Sequence, residues 1–194
     1  MNRLTLYNMA IAHVGGSRIQ STEHESNAEI CNSFINIVID NALESHDFTF
    51  ARRYAKLAQN IETVEIDEEY VTQPKSIGDF EYSYNIPSDL VQMRGVIDHS
   101  TGEWKIYGKE LGSNQEEVSI DYTFAVRTIT LFPSLFAEAL SFYLAYYITS
   151  EIAGDNEEKR ARLYQQYEFF LKKAIGADSG KEYISTPGEA EFTE

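Results

Sequence analysis

The stretch from Leu131 to Ile152 constrains this chain most. Leu135, Phe136, Ala139, Leu140, Phe142, Tyr143, Leu144, Tyr146, Tyr147 and Ile148 cover more than one face of a helix. Pro133 suits the first helical position, where its missing N–H costs nothing, and Gly154 suits the position just past the end. Such a helix of about 20 residues runs near 30 Å. Being apolar nearly all round, it cannot rest on a solvated surface. It must be central to the fold or packed partly against a neighbouring subunit. Glu138 in its middle, Glu151 near its end and the interspersed Ser and Thr oppose a membrane span.

Three further helices are expected. Leu4, Tyr7, Met9, Ile11 and Val14 mark a short first one, stopped by Gly15-Gly16 and ending near His13. Ala28, Cys31, Ile35, Val38 or Ile39 and Ala42 share one face of a second. Two capping boxes, Thr22…Glu25 and Ser26…Glu29, compete for its start. It leads into an aromatic–basic turn, Phe48-Thr49-Phe50-Ala51-Arg52-Arg53, after which the helical rhythm resumes at Tyr54, Leu57 and Ala58. The last helix is capped by Asp155 or Asn156. Glu157 and Glu158 sit at its positive end and Lys172-Lys173 at its negative end before Gly176, with Tyr164, Tyr167, Leu171 and Ile175 as its stripe.

Between these helices the period shortens. Ile61 to Ile66 alternates imperfectly, and a loop holding Pro74 and Gly78 follows. Phe80, Tyr82, Tyr84 and Ile86 alternate cleanly, and Leu90–Ile97, Trp104–Tyr107 and Val118–Val126 read as further strands. Four or five strands so spaced imply a small antiparallel sheet inserted between helices. The fold class is therefore α+β. A bundle of about four helices over 1–60 and 131–176 carries an inserted antiparallel β region over 61–130, and 177–194 forms an extended C-terminal arm.

With 31 acidic against 16 basic residues the net charge is −15. Nucleic-acid binding draws its strength from basic groups that displace counterions, so a sequence-reading nucleic-acid binder is not expected. A passage through which DNA slides without sticking is compatible. One cysteine, Cys31, rules out an internal disulfide framework, and its place on an apolar helix face makes it an inert small hydrophobe. His13, His24, His46 and His99 offer no pair at metal-binding spacing, so neither a metal nor a cofactor is expected. Glu23 with Glu25, Asp40 with Glu44, and Asp47 are the carboxylates from which a glycoside hydrolase would draw its acid and base. No motif supports that choice beyond abundance. Met1 to Gly16 lacks the apolar run of a signal peptide, so synthesis in the cytoplasm is expected.

Arg52 and Arg53 after two phenylalanines admit three readings. They form a phosphate or base-stacking site, they pair with Asp47 or Glu44 over Phe48, or they meet acids of an adjacent subunit. Phe80, Tyr82, Tyr84 and Trp104 put aromatic mass on a sheet too small to bury both faces, so Tyr82, Tyr84 and Trp104 are candidate partner contacts. In the arm, Tyr183, Ile184 and Phe192 are spaced as anchors for pockets on another protein.

The order of several short segments resembles the head-to-tail adaptor family of short-tailed phages, also called tail tubular protein A. The segments are Asn8 to Gly15, Ile19-Gln20-Ser21, Glu25-Ser26, Ala28…Cys31, Phe48 to Arg53 with Leu57-Ala58, Tyr84 to Asp89, and Phe136 to Leu140. Asp47-Phe48 stands where that family often carries a tryptophan-containing segment. The resemblance covers roughly Met1 to Gly154. It implies a non-enzymatic virion protein: a ring of twelve copies below the portal that extends the DNA channel, receives the tail nozzle and docks C-terminal arms on the portal. The partners implied are further copies of itself, the portal protein and the nozzle protein, with DNA passing unbound and no membrane. The competing classes are a cell-wall glycoside hydrolase and a soluble, non-enzymatic binding module.

Overall fold

A computed structural model describes residues 1–66, 68–97 and 103–180. The described residues are mixed α and β, with four α-helices and three small antiparallel sheets. The chain divides into two compact units. One takes Met1–Ala42, Phe48–Phe50 and the chain from Val126 onward; the other takes Leu43–Asp47 and Ala51–Ala125.

The first unit holds the helices. α1 (Arg3–Val14) starts where the Asn2 side chain accepts the Thr5 N–H at 2.8 Å. It stops at Gly15, whose φ of 77° is cheap only for a residue without Cβ. α2 (Ser26–Glu44) begins differently from either expected capping box. The Glu25 carbonyl accepts the first helical bonds, from Ala28 and Glu29, while its carboxylate accepts the N–H groups of Gln20 and Ser21 at 2.8 and 2.7 Å. Glu25 thus ties down the incoming loop instead of closing a Ser/Thr box.

α3 (Ser134–Ala153) packs against both α1 and α4, as an all-round apolar helix requires. Pro133 is its N-cap and Gly154 its C-cap. Its buried hydroxyls are satisfied locally: Ser141 donates to the Glu138 carbonyl and Thr149 to the Ala145 carbonyl. Phe136 anchors its first turn, with the rings of Phe48, Phe50 and Phe132 edge-on around it at 4.8, 4.9 and 5.2 Å.

α4 (Glu157–Ser179) is capped by Asn156, whose side chain accepts the Lys159 N–H. It does not stop before Gly176. The last turn is held because Thr49 donates both its N–H and its hydroxyl to the buried Asp178 carboxylate, each at 2.7 Å. That long-range contact outweighs the helix-weakening glycine. Residues 177–179, expected in the arm, are helical, and residues 181–194, with Tyr183, Ile184 and Phe192, lie outside the described residues. The buried stripe is Leu163, Tyr167, Ala174 and Asp178; Tyr164, expected in it, is 40% exposed.

Among the described residues the second unit holds eight strands in three sheets, where four or five in one sheet were expected. β1 (Arg52–Lys56), β5 (Leu90–Val96) and β8 (Ser119–Phe124) pair in the order β1-β8-β5. Tyr54 thus lies in a strand, and the resumed helix is corrected. β2 (Ile61–Ile66) and β3 (Glu69–Pro74) form a separate hairpin, and β4 (Tyr82–Asn85), β6 (Trp104–Tyr107) and β7 (Glu110–Ser113) pair in the order β4-β7-β6. The sequence of β1, Arg-Arg-Tyr-Ala-Lys, carries no apolar alternation; it is a strand because β8 offers it a ladder. Leu57, Tyr84, Leu111, Val118, Ile120 and Tyr122 make the core of this unit. Among the described residues no helix is long and apolar enough to cross a membrane.

Candidate interaction surfaces

Arg52 and Arg53 leave the same strand in opposite directions, because neighbouring strand residues face opposite sides of a sheet. On one face Arg52 Nε donates to both oxygens of Asp121 at 3.2 and 2.9 Å, and Nη2 reaches Oδ2 at 2.5 Å. On the other, Arg53 Nη1 pairs with Asp89, and its guanidinium lies 3.7 Å from the centre of the Phe124 ring. Asp89 also accepts from the Tyr122 hydroxyl. Asp47, the acid expected for these arginines, faces Arg94 at 3.4 Å, and Arg94 Nε donates to Thr123 Oγ1 at 3.0 Å. Both arginines have acids of their own chain. Their acids are Asp121 and Asp89, in place of the Asp47 or Glu44 expected from spacing. An Arg–carboxylate fork across strands orders the sheet and leaves little charge over.

The aromatic candidates separate. Tyr84 is 1% exposed, its ring is in the core and its hydroxyl donates to the Gln115 carbonyl. Tyr82 packs half-buried against the same core. Tyr84 is therefore a core residue, while Tyr82 keeps part of its surface open. Trp104 does stay 40% exposed, with Ile106 beside it on the same side of β6 at 39%. Phe80 is half-buried and lies close over Gly112, where an added Cβ would come within 2.7 Å of its ring.

The β2–β3 hairpin supplies the exposed apolar surface that sequence reasoning missed. Its register pairs Ile61 with Pro74, Thr63 with Thr72 and Glu65 with Tyr70 on one side, and Val64 with Val71 and Ile66 with Glu69 on the other. Ile61 is 68% exposed, Tyr70 75%, Ile66 49% and Val71 41%. Both sides of the hairpin therefore hold apolar groups in water. β3 offers no apolar alternation, because Tyr70 and Val71 are neighbours on opposite sides, and Pro74 with Gly78 beyond it has the composition of a loop.

In the helical unit, tyrosines line α3 and α4. Tyr143 stacks on Tyr167 at 4.0 Å and 6°, and Tyr146 and Tyr164 lie 5.5 Å apart. Asn41 of α2 reaches the hydroxyls of Tyr143 and Tyr147 at 3.4 and 3.5 Å. The side-chain bond from Tyr143 and then burial push Tyr147 up to about 12, and burial pushes Tyr167 above the ordinary tyrosine range. His13 stacks on Phe142 at 4.0 Å, with Nε2 3.2 Å from Ser141 Oγ. Burial holds it below the usual histidine value, with Glu138 opposing that shift. In the last turn of α1 it is therefore a packing group that favours the neutral ring.

The chemical candidates find structural employment. Cys31 is buried, and burial pushes its thiol up to about 12, far from a reactive thiolate. Asp40 Oδ2 takes the Arg127 guanidinium at 2.7 Å, Glu25 holds its loop, and Glu23 sits exposed beside His24 at 3.9 Å. His99 lies outside the described residues. Among the described residues no cluster of three His, Cys, Asp or Glu is placed to hold a metal ion. Comparison with models of known protein families finds no match, and comparison with curated proteins finds none either.

Proposed function

We propose that this protein is a structural head-to-tail adaptor of a short-tailed phage. It works as a ring, twelvefold by the resemblance in its sequence, between the portal and the tail nozzle. One observation carries the assembly reading: a two-stranded hairpin with Ile61, Ile66, Tyr70 and Val71 in water. The hairpin is bonded to β4 only at its base, and contiguous apolar surfaces of this kind are covered in assemblies. The β6 edge with Trp104 and Ile106 adds a second apolar patch. In this reading the four helices act as a bundle, and the strand-bearing segment is an insertion that reaches partners. The ring closes by head-to-tail contacts, which place different patches of each copy against one another.

The same reading makes the protein non-enzymatic. Asp40, Asp47 and Glu25 are each committed to a partner in their own chain. The net charge of −15 suits a lumen that DNA passes without adhering. The test is to mix the purified protein with portal rings of its own phage and view the product by negative stain. A ring of added density on one face of the portal is expected. A protein that stays monomeric and sediments apart from the portal overturns the proposal.

A further inference from the structure

Two apolar surfaces of the sheet unit carry opposite charge. Residues 61–74, which make the β2–β3 hairpin, hold five acids and no base. One side of the hairpin, with Ile61, Thr63, Glu65, Tyr70, Thr72 and Pro74, is exposed at every position. Tyr70, the most exposed large apolar side chain described, lies directly across from Glu65 and follows Glu69 in the chain. It is an apolar knob set among carboxylates. The complementary hollow lies beside β6. That groove of about 320 Å³ has walls of Ile86, Pro87, Leu90 and Ile106, and Lys109 is the one charged residue of its lining. An apolar cavity of about 150 Å³ admits benzene, so this one has room for a tyrosine ring. The acids next to it are committed: Asp89 pairs with Arg53 and accepts from Tyr122, and Glu110 pairs with Lys75. Glu103 stands beyond the far end of β6. Lys109 is exposed and stands in no salt bridge among the described residues.

Knob and hollow lie at opposite ends of one sheet. The hairpin joins one edge of β4 at its base, where Asn60 N–H donates to the Ser83 carbonyl and Ser83 N–H to the Lys75 carbonyl, each at 2.8 Å. β7 takes the other edge of β4, and β6 ends the sheet. Two unlike patches at two ends make a head-to-tail contact, which repeats from copy to copy without using either patch twice. Resting on the ring reading above, we propose that the Tyr70 side of the hairpin docks in the Ile86–Leu90–Ile106 groove of a second copy of this chain, with the hairpin glutamates toward Lys109. Burial of the apolar groups supplies the attraction, and the charges set the register. Each copy carries a net charge of −15, but at about 0.15 M salt the Debye length is about 8 Å, so that repulsion is screened beyond the contact itself.

The test is disulfide trapping between full-length copies, run alone and with portal rings. Tyr70→Cys protein is mixed with Ile106→Cys protein and oxidised by air with copper phenanthroline; the native Cys31 is buried and stays silent. Tyr54→Cys mixed with Ile106→Cys is the control, because Tyr54 is exposed but lies on another sheet. A dimer-sized product well above the control's is expected. Relative to that control, Lys109→Glu in the Ile106→Cys copy should cut the yield about tenfold, and Glu65→Lys with Glu69→Lys in the Tyr70→Cys copy should restore it. Circular dichroism establishes that each variant is folded. A yield equal to the control's in both settings overturns the proposal. So does a yield that ignores Lys109→Glu or is not restored, or a Tyr70→Cys thiol that joins the portal in place of the second copy. Trapping in a protein that sediments apart from the portal would keep this contact and remove the adaptor; a portal-bound ring without trapping would do the reverse.

Discussion

At the scale of single residues, two buried polar groups make measurable claims. Asp178 accepts two bonds from Thr49 and fastens the end of α4 beyond a glycine. Asp178→Ala leaves a Thr49 donor without its acceptor, and should cost about 1–3 kcal/mol in urea denaturation. An unchanged midpoint would mean that the last turn is held by something else. His13 makes a claim about pH. Its folded pKa lies below the ordinary 6.5, so the unfolded chain takes up that proton first as pH falls. The stability it contributes is whole above the unfolded value, and it drains as pH falls towards the folded value. His13→Gln should flatten the part of the stability profile that falls away as pH drops below the ordinary histidine value. If wild type and variant lose stability in parallel there, burial of the neutral ring is not the cause.

At the scale of elements, the sheet unit and the hairpin should answer differently to substitution. Gly112 lies in β7 with Phe80 and Ile77 against it, at 2.7 and 2.9 Å from where a Cβ would stand. Gly112→Ala must move one of them, at an expected cost of about 1–3 kcal/mol from overpacking. A thermal melt reads that directly. The hairpin is the opposite case, because Ile61 and Tyr70 are among the most exposed large apolar side chains described. Replacing both by threonine should leave stability within about 0.5 kcal/mol, since no packed contact is lost. In the portal-mixing experiment the same double variant should associate poorly. Full assembly by that variant would remove the hairpin from the interface.

At the scale of the whole molecule, charge is the property that no single contact expresses. The excess of 15 negative charges acts on any polyanion that approaches, and seven of the basic side chains are already paired with carboxylates. Duplex DNA should therefore show no shift with this protein in a low-salt gel. Micromolar binding that weakens steeply with added salt would reveal a basic surface that these pairings do not predict. The expectation of no catalysis is checked by incubating the protein with peptidoglycan. Clearing that disappears in Glu23→Gln, Asp40→Asn or Asp47→Asn would make the protein a hydrolase.

Some of this molecule was written into the order of its residues. The central helix followed from apolar groups on every face of Leu131 to Ile152, because water tolerates no such helix at a surface. The ends of α1 and the start of α4 followed from Gly15 and Asn156, whose effects are local and need no partner. Tertiary structure decided what depended on residues far apart in the chain. Arg52 to Lys56 became a strand because β8 was there to pair with it. α4 outran Gly176 because Thr49 met Asp178 across 129 positions of sequence. Tyr84 sank into the core because β4 pairs with β7, while Ile61 and Tyr70 stayed in water on a hairpin tied to β4 only at its base, where Asn60 and Lys75 bond Ser83. The two arginines of β1 found Asp121 and Asp89, acids that no spacing argument could single out among 31. Local signals specify caps and periods; which acid meets which base, and which face meets water, is set only once the strands have chosen their neighbours.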